Sequence, residues 1–450
     1  MAKILLLTLF PILIGIFFNY YKFDYFIPKF DKDGYFGEGE IGRDDETINI
    51  FEINIDEEKI IDMKKRVNLS LISESFEGTS SEYGLNFQFI HNVSINLLNY
   101  NWHQHQYFLN TFKHYTTEIE GLKIHFIRKY IEPKKNEIRI PLLIIHPFGM
   151  SVWDYYKIIP ILTNPSRFNF DFGVKNNIIF DVIIPSIPGF GFSESSKKKD
   201  FSFIDCGRIF DKLMQRLSID KYYIHSGGLI GNDIAKVMGH YNPSSIDGIH
   251  FTNLKMRLSM DPYYLIKSFI SMFYNNGKNN SIGEMIKEFQ KYLSFHIPLI
   301  TSPDTISRSL QDSPLGFASY LLEYWSIGTR PLTSKQFLDG SLMKHYTLDE
   351  LLTEVHIYWL TKTINSSFRL YYETFNHPLY DNIMKAKLEL PVGISIFENS
   401  ILAQNKFMID EVYRNITRFR DNLKGGDFPM IEAYEKVAEE IFAFVELTLL

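Results

Sequence analysis

The chain opens on an apolar stretch. Ile4 to Phe18 carries no polar residue except Thr8, with Lys3 before it and Asn19, Tyr20, Tyr21 and Lys22 after it. A bilayer-spanning helix needs about 20 apolar residues and no fewer than about 17, so Ile4 to Tyr21 reaches the lower end if the tyrosines sit at the interface. The exit lacks the small residues of a peptidase site, which predicts an uncleaved anchor over residues 1–22 rather than a signal peptide. Lys3 on one flank faces Lys22 and Lys29 on the other, so charge leaves the orientation open. Residues 53–130 mix helical spacing (Ile60, Ile61, Met63, Val67) with loop residues and predict a mostly helical segment. Then the pattern changes. Leu142-Leu143-Ile144-Ile145 ends in a turn at His146, Phe180 to Pro185 runs into Pro188-Gly189-Phe190-Gly191, and Lys221 to His225 runs into Ser226-Gly227-Gly228-Leu229-Ile230-Gly231 and a helical pattern. Apolar runs of this kind are strands buried on both faces. Their alternation with helices predicts an α/β fold around a doubly wound sheet, with reactive groups on turns at the carboxyl ends of the strands.

Length and charge narrow this picture. At 450 residues the chain exceeds the size at which one core stops growing, roughly 300 residues, so a core with accessory segments is expected. The net charge of -6 supplies no basic field, which argues against a nucleic-acid partner. Lys197-Lys198-Lys199 reads as a solvated loop and Asn275 to Asn280 as another. Cys206 is the single cysteine, so no intramolecular disulfide can form, and no metal-ligand spacing surrounds it. Sequons occur at Asn68, Asn92, Asn279, Asn365 and Asn415, in a chain rich enough in Asn to generate them by chance.

Several ordered segments resemble the microsomal epoxide hydrolases, including the juvenile hormone epoxide hydrolases. They are Asp33-Gly34-Tyr35-Phe36-Gly37, Glu120 to Ile127, Tyr155 to Pro160, Pro185 to Ser193, Pro303-Asp304-Thr305 and Asp312 to Gly316, together with the apolar amino terminus. The resemblance implies an α/β-hydrolase fold with an anchor at 1–22, an accessory domain at 23–135, core halves at 136–255 and 386–450, and a helical lid at 256–385. It further implies an endoplasmic reticulum (microsomal) location, a lipophilic small-molecule partner and no cofactor or metal. The chemistry it implies has two steps. An Asp on the strand-to-helix turn attacks an epoxide carbon while two lid tyrosines protonate the oxygen, and a His backed by an acid then activates water against the ester.

Position by position, most of those groups are replaced. Gly227 to Gly231 keeps the small residues that a strained turn needs and places Leu229 at the nucleophile position, with Met238 and Pro243 fitting this register. That register requires one extra residue near Ser226; without it the position falls on Gly228. Asp233, four residues on and also flanked by small residues, is the alternative nucleophile. Asp427 stands at the His position, in a half of the core with no His after His377, and reads either as a weak base or as a surface loop residue. Ser400 stands at the acid position, with Glu398 two residues away. Tyr371 matches one lid tyrosine; the other falls on Phe295, with Tyr292 near enough to substitute. In His146-Pro147-Phe148-Gly149, Gly and Pro have exchanged places relative to the oxyanion loop, which removes an amide donor. His146, Phe148, Trp153 and Ile230 are expected around the pocket, His146 in a structural role, and His225 is expected to be a hydrogen-bonded core residue.

Three functional readings follow. The first is a catalytically impaired member of that family, anchored in the membrane and binding a lipophilic ligand. The second is an active hydrolase that opens lipophilic epoxides through Asp233. The third is a membrane-tethered interaction protein whose pocket has filled with side chains.

Overall fold

The computed structural model describes residues 27–168, 177–255, 282–329 and 334–449. The apolar stretch at 4–21 and the loop at 275–280 lie outside the described residues; among the described residues no helix is long and apolar enough to cross a membrane. Among the described residues there are nine strands, β1 (Asn49–Phe51), β2 (His114–Ile119), β3 (Leu122–Lys129), β4 (Glu137–Ile145), β5 (Asn177–Pro185), β6 (Tyr222–Gly227), β7 (Ile246–Thr252), β8 (Leu388–Phe397) and β9 (Tyr413–Leu423). They form one sheet in the order β1-β2-β3-β5-β4-β6-β7-β8-β9, antiparallel from β1 to β5 and parallel from there on. The continuous apolar runs form its centre: Leu142 to Ile145 on β4 pair with β5 on one side and β6 on the other, all buried.

Three helices, α1 (Glu57–Asn68), α2 (Phe87–Asn99) and α3 (Trp102–Leu109), precede the sheet proper. In the core, α4 (Phe203–Arg216) starts at a capping box between Ser202 and Asp205, and α5 (Gly228–Tyr241) follows β6 directly. Between β7 and β8 the chain leaves the sheet for the helices α6 (Ile282–Thr301), α7 (Pro303–Asp312), α8 (Pro314–Thr329), α9 (Leu348–Leu360), α10 (Ile364–Phe375) and α11 (Tyr380–Lys385). A last helix, α12 (Tyr434–Leu449), returns to pack on β7, β8 and β9. The amino-terminal helices brace the inserted layer: Tyr100 bonds Thr353 at 2.6 Å and stacks on His356 of α9.

The segment 53–130 differs from its sequence expectation. Its second part is a β-hairpin, with Glu120 (φ 55°) and Gly121 (φ 75°) forming a two-residue turn between β2 and β3. Glu is a poor choice for a left-handed position, and tertiary contacts override that preference. Arg208 of α4 forks onto both Glu120 carboxylate oxygens at 2.7 and 2.8 Å, and the Glu120 carbonyl accepts from Phe36 N–H. Cys206 is buried in the core, where desolvation pushes its thiol pKa well up.

Candidate functional site

The turn from β6 into α5 is built by crowding. A Cβ on Gly227 would stand 2.7 Å from Thr252 Oγ1, and one on Gly231 would stand 3.0 Å from the Ile145 carbonyl. Both positions are therefore crowded against any side chain, and they bracket Leu229. The left-handed backbone, however, falls on Gly228 (φ 63°), the first residue of α5, while Leu229 follows it in the first turn as a buried residue. The two structural marks of a strained turn thus separate onto neighbouring residues. Moreover, a Cβ on Gly228 would clash with the Cβ of Pro147, so the pyrrolidine ring occupies the space into which a side chain would project.

The loop after β4 is stitched to the lid. Pro147 has no N–H, and the Gly149 N–H is already taken by Tyr358 Oη at 3.1 Å, whose own proton goes to the Met150 carbonyl. Trp325 Nε1 donates to the Gly149 carbonyl at 2.8 Å. His146 is buried, accepts from Ile187 N–H at 3.1 Å, and is held neutral by desolvation, its pKa lowered to about 4. Phe148 packs edge-on against Tyr371, with ring centroids 5.2 Å apart. Ile230 is buried in the first turn of α5. Trp153 lies elsewhere, against His105, Phe108 and Tyr156.

The loops after β7, β8 and β9 bring Ser400 and Asp427 together. Ser400 Oγ donates to Asp427 Oδ1 at 2.6 Å, and Lys255, which the sequence did not single out, ion-pairs with the same carboxylate. Its ammonium also donates to Ser400 Oγ at 3.0 Å and to the Ile401 carbonyl at 2.7 Å, so all three of its protons are used. Lys255 is buried and Asp427 nearly so, which corrects the surface-loop expectation for Asp427; Glu398 is exposed and takes no part. The clue available in sequence was position alone, since Lys255 follows the carboxyl end of a buried strand.

Asp233 is fully buried on the second turn of α5 and accepts from Tyr380 Oη at 2.9 Å. His225 is buried as expected, but only half satisfied: Nδ1 meets His250 Nδ1 at 2.9 Å, while Nε2 has no partner among the described residues, and desolvation lowers the pKa to about 3.

On the lid, Tyr371 of α10 faces α6, but its neighbours there are His296 and Tyr292. Phe295 points to Tyr320 and Tyr324 instead. His296 stacks on Tyr371 with centroids 5.7 Å apart and planes 16° from parallel, and lies 4.1 Å from the Tyr292 ring. The spacing of 292 and 296, one helical turn, was the legible sign that they share a face.

The sequence matches the family model "Epoxide hydrolase N terminus" over residues 48–155 and that of the "alpha/beta hydrolase fold" over residues 140–377. It is 32% identical over 432 residues to epoxide hydrolase 1 of Sus scrofa, covering 92% of each chain. It is 31% identical to juvenile hormone epoxide hydrolase 1 of Ctenocephalides felis, covering 99% of this chain and 96% of that one. Among solved structures, the juvenile hormone epoxide hydrolase of the silkworm Bombyx mori superposes with a TM-score of 0.84 at 26% identity, covering 93% of this chain and 99% of that one. The inserted helical layer, the sheet order and these similarities agree: the chain belongs to the epoxide hydrolase family that includes epoxide hydrolase 1 and the juvenile hormone epoxide hydrolases.

Proposed function

We propose that this protein is a catalytically impaired epoxide hydrolase-like protein that binds a lipophilic ligand beneath its lid, tethered to the microsomal membrane through residues 4–21. The observation that carries the reading is the packing of Pro147 against Gly228. No carboxylate can project from the left-handed position of the turn, and the neighbouring position holds an aliphatic Leu229, which cannot form an ester. The position expected to hold the water-activating imidazole holds Asp427, bonded to Ser400 and Lys255. Loss of nucleophile and base together removes the unit on which several orders of magnitude in rate depend. The alternative nucleophile, Asp233, is tied to Tyr380.

The test is incubation of the purified full chain with a radiolabelled lipophilic oxirane. The expected result is diol formation at the buffer rate and no covalent adduct on any carboxylate. Turnover abolished by Asp233→Ala would establish the active-enzyme reading instead. Ligand binding is read separately, since a ligand that binds the native state must raise the melting temperature; no shift with any apolar compound would point to an interaction protein with a filled pocket.

A further inference from the structure

A cleft of about 780 Å³ opens between the loop that leads from β5 to α4 and the lid helices α7 and α10. That volume lies within the range of small-molecule sites, roughly 300–1,000 Å³. Its lining is cationic on both walls. Lys197, Lys198 and Lys199 stand on the loop side, Lys362 and Arg369 on the lid side, and Asp304 and Glu373 are the only carboxylates among the lining residues. Asp304 is already committed, because Arg369 forks onto its two oxygens at 2.7 Å each. Lys197, Lys198 and Lys362 make no ion pair among the described residues, and the hydroxyls of Ser195 and Ser302, one on each wall, make no hydrogen bond there. Like charges gathered round one cleft repel one another, and an anionic occupant turns that repulsion into attraction. The loop wall also touches the amino-terminal arm. Lys198 Nζ sits over the Tyr35 ring, 4.5 Å from its centroid, and Lys197 N–H donates to the Phe36 carbonyl at 2.9 Å. Tyr35 follows Tyr21, the end of the apolar stretch, by 14 residues, so chain length limits their separation to about 50 Å and keeps the lysine run within reach of any bilayer that holds that stretch.

We propose that this cleft is a site for the phosphate of an anionic lipid headgroup. The lysines supply compact point charges suited to a phosphate, and the Ser195 and Ser302 hydroxyls supply donors to its oxygens. A carboxylate brings one charge to cations on two walls, whereas a phosphomonoester brings nearly two and three acceptor oxygens. A nucleic-acid strand is a poorer occupant, because the net charge of -6 opposes a polyanion everywhere outside the cleft. The choice of a lipid as the bearer of the phosphate rests on the reading of a membrane tether; the attraction of the cleft for a phosphate does not.

The experiment reads the acetylation rate of individual lysines by mass spectrometry, in the full chain mixed with vesicles of phosphatidylcholine alone or of an equimolar mixture with phosphatidic acid. Lys197, Lys198, Lys199 and Lys362 are expected to react about fivefold more slowly with the anionic vesicles, the factor that a lysine held at an anionic surface implies. Lys134 and Lys135, exposed between β3 and β4, are expected to react at the same rate with both. Lys362→Ala is expected to weaken the protection of the lysine run across the cleft. Equal rates with the two kinds of vesicle overturn the site. Slowing that extends to Lys134 and Lys135 also overturns it, since that is a diffuse surface field, and so does protection of the run that Lys362→Ala leaves unchanged, since that belongs to the loop alone. Glycerol 3-phosphate protecting as strongly in the presence of phosphatidylcholine vesicles overturns the lipid as the source. Co-sedimentation separates the tether from the site. A chain that sediments with phosphatidylcholine vesicles yet shows equal rates keeps the tether and loses the headgroup site, and one that sediments with the anionic vesicles alone and is protected there keeps the site and loses the tether.

Discussion

The sheet and the helical layer above it treat their buried polar groups differently. On the sheet side, the polar atoms at the chemically exposed positions are spoken for: Asp427 by Ser400 and Lys255, the Gly149 amide by Tyr358, Asp233 by Tyr380. On the lid side, His296 and Tyr371 are equally buried but have three polar atoms without a partner among the described residues. Paired buried groups hold a fold in register, whereas each unpaired one costs stability, as His225 Nε2 does within the sheet. The sheet-side groups are committed to one another, whereas the lid-side atoms are buried without a partner among the described residues.

The largest test of this contrast is Lys255→Met. Leaving the Asp427 carboxylate buried without its partner is expected to cost about 3–5 kcal/mol of unfolding free energy in urea titrations, and Lys255→Met/Asp427→Leu should recover most of it. Acid comes next. The His225 imidazole is lowered by desolvation to about 3 and the His296 imidazole likewise, against an ordinary value near 6.5. Because the unfolded chain takes up these protons first, stability is full above about pH 6.5. It should fall by roughly 1.4 kcal/mol per pH unit for each imidazole as the pH drops toward 3. His225→Gln on the sheet side and His296→Phe on the lid side should each flatten that slope by one proton. A slope unchanged by either would break the assignment of buried neutral rings.

Gly228→Ala is expected to cost about 2 kcal/mol, from the left-handed backbone and the contact with Pro147. In a double-mutant cycle Pro147→Gly should relieve the steric part but not the conformational part; strict additivity would show that the ring does not block the turn. Smallest is Tyr371→Phe, for which ligand-free stability should change by less than about 1 kcal/mol, because no hydrogen bond is lost. A larger loss would mean that the hydroxyl has a partner and that the two sides are alike.

The central strands, the glycine-bracketed turn and the juxtaposition of positions 400 and 427 were legible in the sequence because each follows from local pattern or ordered resemblance. Three features were not. The β2–β3 hairpin hides because a glutamate sits at a left-handed turn residue, tolerated only through Arg208, 88 positions away. The ion pair of Lys255 with Asp427 spans 172 positions, and no periodicity reports a pairing between loops. The facing of His296 rather than Phe295 toward Tyr371 depends on the rotation of one helix by a single residue, about 100°, which a mostly apolar stretch leaves undetermined.

Tyr358 and Trp325 have a mechanical consequence. Because both lid residues bond the same short backbone span, Gly149 and Met150, the roof and the loop beneath it are fastened along one edge by three hydrogen bonds. Swinging the helices away there would require those bonds to break together and would drag the Pro147 ring off the turn. Any opening of the helical layer should therefore hinge on this fastened edge rather than begin from it.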